Sequence, residues 1–173
     1  MKGAPRTARS MRKAKVGYKQ KPFKFPSGMI MVQDTREQTS PLLTRLPKGL
    51  VLASDTLKDG DFSIRGHEKT FCIERKMISD LISYCTTERD TKTIKKMERF
   101  REMEWVGLVI EARESDLYRP YEWSSVSPEV IRQSVVSFSV RYGVHIYISD
   151  SQEKIVRWIL DHMIKYYRIK REL

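Results

Sequence analysis

The six residues Val106-Gly-Leu-Val-Ile-Glu111 carry no polar side chain until the last position. A strand with one solvated face alternates apolar and polar residues, so an unbroken apolar run reads as a strand buried on both faces. Such a strand lies inside a sheet with helices packed above and below it. With three or four strands first and helices alternating with strands after them, the order fits an α/β fold with a mixed central sheet flanked by helices. The rest of the chain agrees. Strands are expected at Met29–Gln33, Val51–Leu57 and Val144–Ile148, and a hairpin of Asp61–Arg65 with Thr70–Arg75 turns around Gly66. Helical spacing of apolar residues marks Met77–Tyr84, Arg89–Met103 and Ser151–Arg168, with a brief helix at Pro41–Leu46. Ser127 followed by Pro128 reads as the cap and first turn of a further helix reaching about Arg141. Between them, Arg113–Ser127 is a loop carrying Tyr118, Tyr121 and Trp123.

Charge divides the chain in two. Of the net +11, residues 1–24 supply nine positive charges and no acid: Lys2, Arg6, Arg9, Arg12, Lys13, Lys15, Lys19, Lys21 and Lys24. Pro22 and Pro26 discourage regular structure there. Residues 1–27 are therefore expected to form a basic flexible arm, and residues 28–173 one domain. A basic arm on a near-neutral domain points to a polyanion partner, because Lys and Arg displace counterions condensed on phosphates. A membrane partner is not expected, since no apolar run nears the roughly 18 residues of a span and the arm lacks an apolar face. Cys72 and Cys85 have no metal-ligand or CxxC spacing. With no secretory signal pattern, they suit a reduced intracellular protein, in the cytoplasm or nucleoid, or in the nucleus of a eukaryote. His67, His145 and His162 share no ligand spacing, and no phosphate-binding glycine loop is present.

The chemistry gathers on the hairpin "GDFSIRGHEKTFCIERK", Gly60 to Lys76. On the second strand, Cys72, Glu74 and Lys76 share one face and Phe71, Ile73 and Arg75 the other. Asp61 opens the first strand, and the sequence alone leaves its register against Glu74 open. Two carboxylates meeting at a sheet end need a cation. A hard divalent ion such as Mg²⁺ takes oxygen ligands and keeps several waters. A lysine beside it orients water or steadies negative charge at a phosphate. The set reads as metal-assisted phosphodiester hydrolysis, although a solvated strand face is the commoner use of such spacing.

The surroundings add a resemblance. "QDTREQ", "KDGDFSI" and "IERKMISDLI" resemble the V-D-x-R-E, G-D-[FY] and E-R-K-x-x-x-D motifs of XPF-type nuclease domains, members of the PD-(D/E)xK, restriction-endonuclease-like superfamily. The likeness covers about residues 29–165. It implies that Asp61 and Glu74 are metal ligands, that Lys76 positions the attacking water or its charge, and that Asp34 is an additional acid. Arg36 and Glu37 would support the site or hold a phosphate, Arg75 would lend backbone and packing, Asp80 would orient a basic neighbour, and Arg89 would contact DNA or the active site. The hairpin is longer than the family's, Glu88 stands in place of a glycine, and the usual glutamine after the family's arginine is replaced in "RDTKTIKK". The resemblance implies a Mg²⁺-dependent endonuclease, with Mn²⁺ as a substitute, acting on branched or junction DNA in repair, recombination or replication. It is expected to stand alone without a helix-hairpin-helix module, gripping DNA through the arm, the Lys92–Arg101 surface, a partner protein or a homodimer built on the last two helices. A non-catalytic DNA-binding partner of the same fold and a sequence-specific restriction-type nuclease are the alternatives.

Overall fold

The computed structural model describes residues 21–37 and 41–172. Along the chain run β1 (Ile30–Asp34), β2 (Val51–Asp55), β3 (Phe62–Ile64), β4 (Phe71–Met77), α1 (Ile78–Cys85), α2 (Ile94–Arg101), β5 (Trp105–Glu111), α3 (Pro128–Tyr142), β6 (His145–Ser149) and α4 (Gln152–Glu172). The six strands form one sheet in the order β2-β1-β3-β4-β5-β6. β4, β5 and β6 are mutually parallel, as are β1 and β2, and β3 joins the two sets by antiparallel pairing on both sides. The sheet is therefore mixed, with its apolar strand in the interior.

β5 is buried as its composition predicts. Val106, Leu108 and Ile110 face a core built with Leu81 of α1, Met97 and Phe100 of α2, and Ile131 and Phe138 of α3. Val109 faces the opposite core, where Ile155, Ile159, Leu160 and Met163 of α4 cover Ile64, Phe71 and Ile73. Each large aliphatic side chain so buried stabilises the fold by roughly 1.5–3 kcal/mol. Gly107 lies on the α4 side because nothing larger fits. A Cβ there would meet the Trp158 and Trp105 rings at 2.7 and 2.8 Å.

The helix ends follow their local chemistry. Ser127 Oγ accepts the Glu129 N–H at 3.2 Å, Pro128 opens α3, and Gly143, at φ +69°, closes it. The segment Arg89–Met103 is divided, with a π-helical turn at Arg89–Thr93 before α2. α4 continues past Arg168 because its last turns are tied down: Lys170 pairs with Glu104 at 2.5 Å, and Arg171 donates to the Ser27 carbonyl at 2.8 Å.

Residues 21–27, expected from sequence to belong to the flexible arm, lie along α4. Arg157 and Arg168 donate to the carbonyls of Lys21 and Lys24, both at 2.8 Å, and Phe23 and Phe25 pack against the α4-side core. Two packed aromatic rings offset the conformational entropy that charge and proline alone could not. Arg6, Arg9, Arg12, Lys13, Lys15 and Lys19 lie outside the described residues. Among the described residues, no helix is long and apolar enough to cross a membrane. Cys72 and Cys85 are both free, buried thiols.

Candidate active site

The approach to β3 is shaped by Gly60. Its φ of +79° suits glycine, and a Cβ would sit 2.9 Å from that of Cys72. Asp61 is then held on three sides. Its N–H donates to the Ile73 carbonyl at 2.8 Å, its carbonyl accepts the Asp34 N–H at 2.8 Å, and its Oδ2 accepts the Arg75 N–H at 2.6 Å. The register that the sequence leaves open is thus closed. With Phe62 opposite Ile73, the Asp61 carboxylate is bonded to the residue directly after Glu74.

Glu74 is only 1% exposed. It lies on the α1–α2 side of β4, on the same strand face as Cys72 and Lys76, as strand alternation predicts. Lys76 Nζ stands 2.6 Å from Glu74 Oε1 and 5.2 Å from the centre of the Tyr84 ring. A second ammonium, Lys96 of α2, bonds both Glu74 oxygens at 2.9 Å. These contacts separate the two acids electrostatically. Burial first, and the Glu74 charge second, push the Asp61 carboxyl up to about 7. Burial also pushes Glu74 upward, but the charges of Lys76 and Lys96 outweigh it and hold Glu74 below its usual range. Burial works against the Lys76 charge, yet Glu74 outweighs it and raises the Lys76 pKa.

The supporting residues divide into three groups. Asp34 is buried, and its carboxylate accepts four hydrogen bonds: Arg36 N, Nε and Nη2 at 2.9, 2.6 and 2.9 Å, and Leu57 N at 2.8 Å. The Arg36 hydrogen bond is the main reason that its carboxyl falls to about 2. Asp34 therefore fixes the loop before Asp61, while Arg36 remains 72% exposed. Arg75, on the other strand face, bridges Glu111 at 2.5 Å and Glu37 at 3.3 Å, so these three lock the ends of β4 and β5 together. Asp80 is exposed in the first turn of α1, where its charge helps to keep Lys76 protonated. Arg89 is exposed and opens onto a groove with Gln133, Ser137 and Arg141 of α3, a groove that neither Asp61 nor Glu74 lines.

Three contributors lie outside the sequence motifs. Lys96 reaches Glu74 directly. Arg99, three residues on, bonds the buried Asp59 through Nε and Nη2 at 2.6–3.0 Å, and so clamps the segment that leads into Asp61. Glu111 supplies a partner for Arg75. One signal points to the first two. Lys96 and Arg99 each sit one position before a buried member of the α2 apolar stripe, Met97 and Phe100, where a long basic stem can reach back over the sheet.

Among the described residues, no three His, Cys, Asp or Glu side chains converge as a metal cluster, and a divalent ion here would rest on the Asp61–Glu74 pair and water. Mg²⁺ is commonly held by one or two carboxylates with water completing its shell. A buried carboxylate that already draws two ammonium groups is a site of strong cation attraction. The residues present fit such an ion. A hollow of about 580 Å³ borders Asp59 and Arg99 but does not include Asp61, Glu74 or Lys76.

No curated protein matches the chain. Its fold is similar to that of XPF from Aeropyrum pernix in complex with DNA, at 17% identity and a TM-score of 0.61, over 82% of this chain and 66% of that one. A second structure of XPF from Aeropyrum pernix gives 17% identity and a TM-score of 0.63, over 80% of this chain and 65% of that one. The chain thus spans just under two thirds of the length of these two solved chains. The ERCC4 domain model matches residues 33–161, a stretch that holds Asp34, Asp61, Glu74, Lys76, Asp80 and the Lys96–Arg99 clamp. By that match, and with the XPF-type fold to support it, the chain belongs to the ERCC4 domain family.

Proposed function

We propose that this chain is a Mg²⁺-dependent DNA endonuclease, with Mn²⁺ as a substitute, that hydrolyses phosphodiester bonds in branched or junction-containing duplex DNA. The observation that carries this reading is the Asp61 carboxylate held on the Arg75 N–H at 2.6 Å, where it feels the Glu74 charge, with Lys76 2.6 Å from Glu74. A bound divalent ion supplies Lewis acidity and a more acidic water at such a site. Asp61 and Glu74 would hold it. Lys76 stays cationic at neutral pH because Glu74 raises its pKa, so its part is to offset charge developing on the phosphate rather than to remove a proton. Arg75, tied to Glu37 and Glu111, fixes the backbone between the two working side chains. Arg36 keeps an exposed guanidinium within the electrostatic reach of Asp61 and Glu74, where it can meet a DNA phosphate.

DNA would also be gripped by the basic residues Arg6, Arg9, Arg12, Lys13, Lys15, Lys19, Lys21 and Lys24. The similarity to an XPF in complex with DNA supports this partner class. A homodimer or a partner protein would use the outer side of α3, where Val136 is 52% and Val140 79% exposed. The apolar face of α4 is already taken up by the core.

The test is cleavage of linear, flapped and four-way DNA in Mg²⁺ and in chelator, with Asp61→Ala and Lys76→Ala beside the native chain. Cutting of the branched substrates, lost in chelator and in both variants, is expected. Cleavage that survives both substitutions removes the site assignment. Tight binding with no cleavage of any substrate leaves a non-catalytic DNA-binding module, and cutting of linear DNA at a fixed sequence leaves a restriction-type enzyme.

A further inference from the structure

We infer that Lys96 is a displaceable counter-cation of Glu74: it holds the carboxylate until the divalent ion binds, then moves to a DNA phosphate. The inference rests on the nuclease reading above and adds a residue that the hairpin motifs do not contain. Its geometry is specific. Lys96 Nζ lies 2.9 Å from both Glu74 oxygens, so it occupies both atoms that Glu74 could offer a cation. Lys76 stands 2.6 Å from Oε1, so Glu74 keeps one ammonium when Lys96 leaves.

The two lysines are not equivalent. Both ammonium groups lie over an aromatic ring, Lys76 over Tyr84 and Lys96 over Phe100, but Lys76 follows Glu74 by two residues on the same strand. Lys96 arrives from α2 on a long stem that is 26% exposed, next to the basic surface that includes Lys92 and Lys95. Asp61 and Glu74, when both are ionised, balance Lys76 and Lys96. Entry of a divalent ion leaves two surplus positive charges beside a buried group. Repulsion at a few ångströms is strong in a partly desolvated site. The two side chains are nearly equally exposed, 26% and 21%, but Lys76 also feels the charges of Asp61 and Asp80, so Lys96, carried by a separate helix, is the one that can leave, and a backbone phosphate is the anion that would receive it. Ion and DNA then bind with positive coupling, since each removes an obstacle to the other.

The experiment is Mn²⁺ binding to the full chain, without DNA, followed by electron paramagnetic resonance. The native chain, Lys96→Gln, Lys96→Arg and Glu74→Gln are compared, with circular dichroism to confirm folding. Lys96→Gln is expected to bind Mn²⁺ roughly tenfold more tightly, because the competing cation is gone. Lys96→Arg keeps the charge and is expected to stay within about threefold of native. Should Lys96→Gln not fold, Lys96→Met keeps the stem and carries the same expectation. Unchanged or weaker Mn²⁺ binding on loss of the Lys96 charge overturns the inference and leaves Lys96 as a structural ion pair. If Glu74→Gln binds Mn²⁺ as well as the native chain does, the metal-site reading falls with it. If only Glu74→Gln changes binding, by losing it, the metal site stands and the Lys96 inference alone fails.

Discussion

Asp61→Asn should stabilise the metal-free protein while it removes the chemistry. In the fold, burial and the neighbouring Glu74 raise the Asp61 carboxyl from 3.8 to about 7. A carboxyl whose pKa is higher folded than unfolded binds more protons in the folded state between those two values. Its contribution to stability is therefore present at low pH, withdrawn as the pH rises through that window, and fully lost above about 7. Each pH unit between the two values corresponds to about 1.4 kcal/mol, so holding Asp61 ionised in the fold at pH 8 costs on the order of 2–4 kcal/mol. Asparagine avoids that cost, and its side-chain oxygen can still accept the Arg75 N–H that now sits 2.6 Å from Oδ2. Urea unfolding in chelator at pH 4.5, 6 and 8, run on both proteins, reads the difference directly. Asp61→Asn should gain on the native chain by up to about 1.4 kcal/mol per pH unit through the window, then plateau. The thermal midpoint at pH 8 should rise by roughly 5–10 °C. An Asp61→Asn protein no more stable than native at pH 8, or an advantage that shrinks as pH rises, would rule out a half-buried Asp61 and a buried Glu74 awaiting a cation.

Two further outcomes follow from the packing and the charge. Gly107→Ala places a methyl 2.7 Å from the Trp158 ring and should cost about 1–3 kcal/mol by chemical denaturation, without changing the acids on the other face of the sheet. Deleting residues 1–20 removes seven basic side chains but leaves Phe23 and Phe25 packed on the α4-side core. Unfolding free energies should stay within about 0.5 kcal/mol of native, while DNA affinity weakens and the slope of log K against log salt becomes shallower by about 0.9 for each phosphate no longer neutralised.

Much of this architecture was legible in local patterns. The apolar run at β5 requires cover on both faces, and α1–α3 and α4 supply it. Alternation along β4 put Glu74 and Lys76 on one side and Arg75 on the other, and the ion pairs follow that division. Ser127 and Pro128 start α3 where capping chemistry places it. What stayed hidden depended on three-dimensional approach. Whether Asp61 meets Glu74 rests on a register set by Gly60 and the bond to Arg75 N, neither of which has a period in the sequence. Lys96 and Arg99 reach β4 and the loop before β3 from a helix that begins after β4 has ended, so no spacing rule links them to Glu74 or Asp59. The engagement of Asp34 by Arg36 was equally invisible, because an aspartate two residues before an arginine is as often a surface pair. The docking of residues 21–27 depended on three arginines of α4, more than a hundred positions away.

Whether Asp61 and Glu74 form a hydrolytic metal site is decided by the single-turnover rate at which an end-labelled flapped duplex is cut in Mg²⁺ by the native chain and by Asp61→Asn, with DNA binding measured in parallel. The native chain should cut near the branch only when Mg²⁺ is present, and the variant should lose on the order of a thousandfold or more in rate at unimpaired DNA binding. Equal rates for the two proteins, or cutting by neither while both bind, would contradict a metal-assisted nuclease built on these two acids.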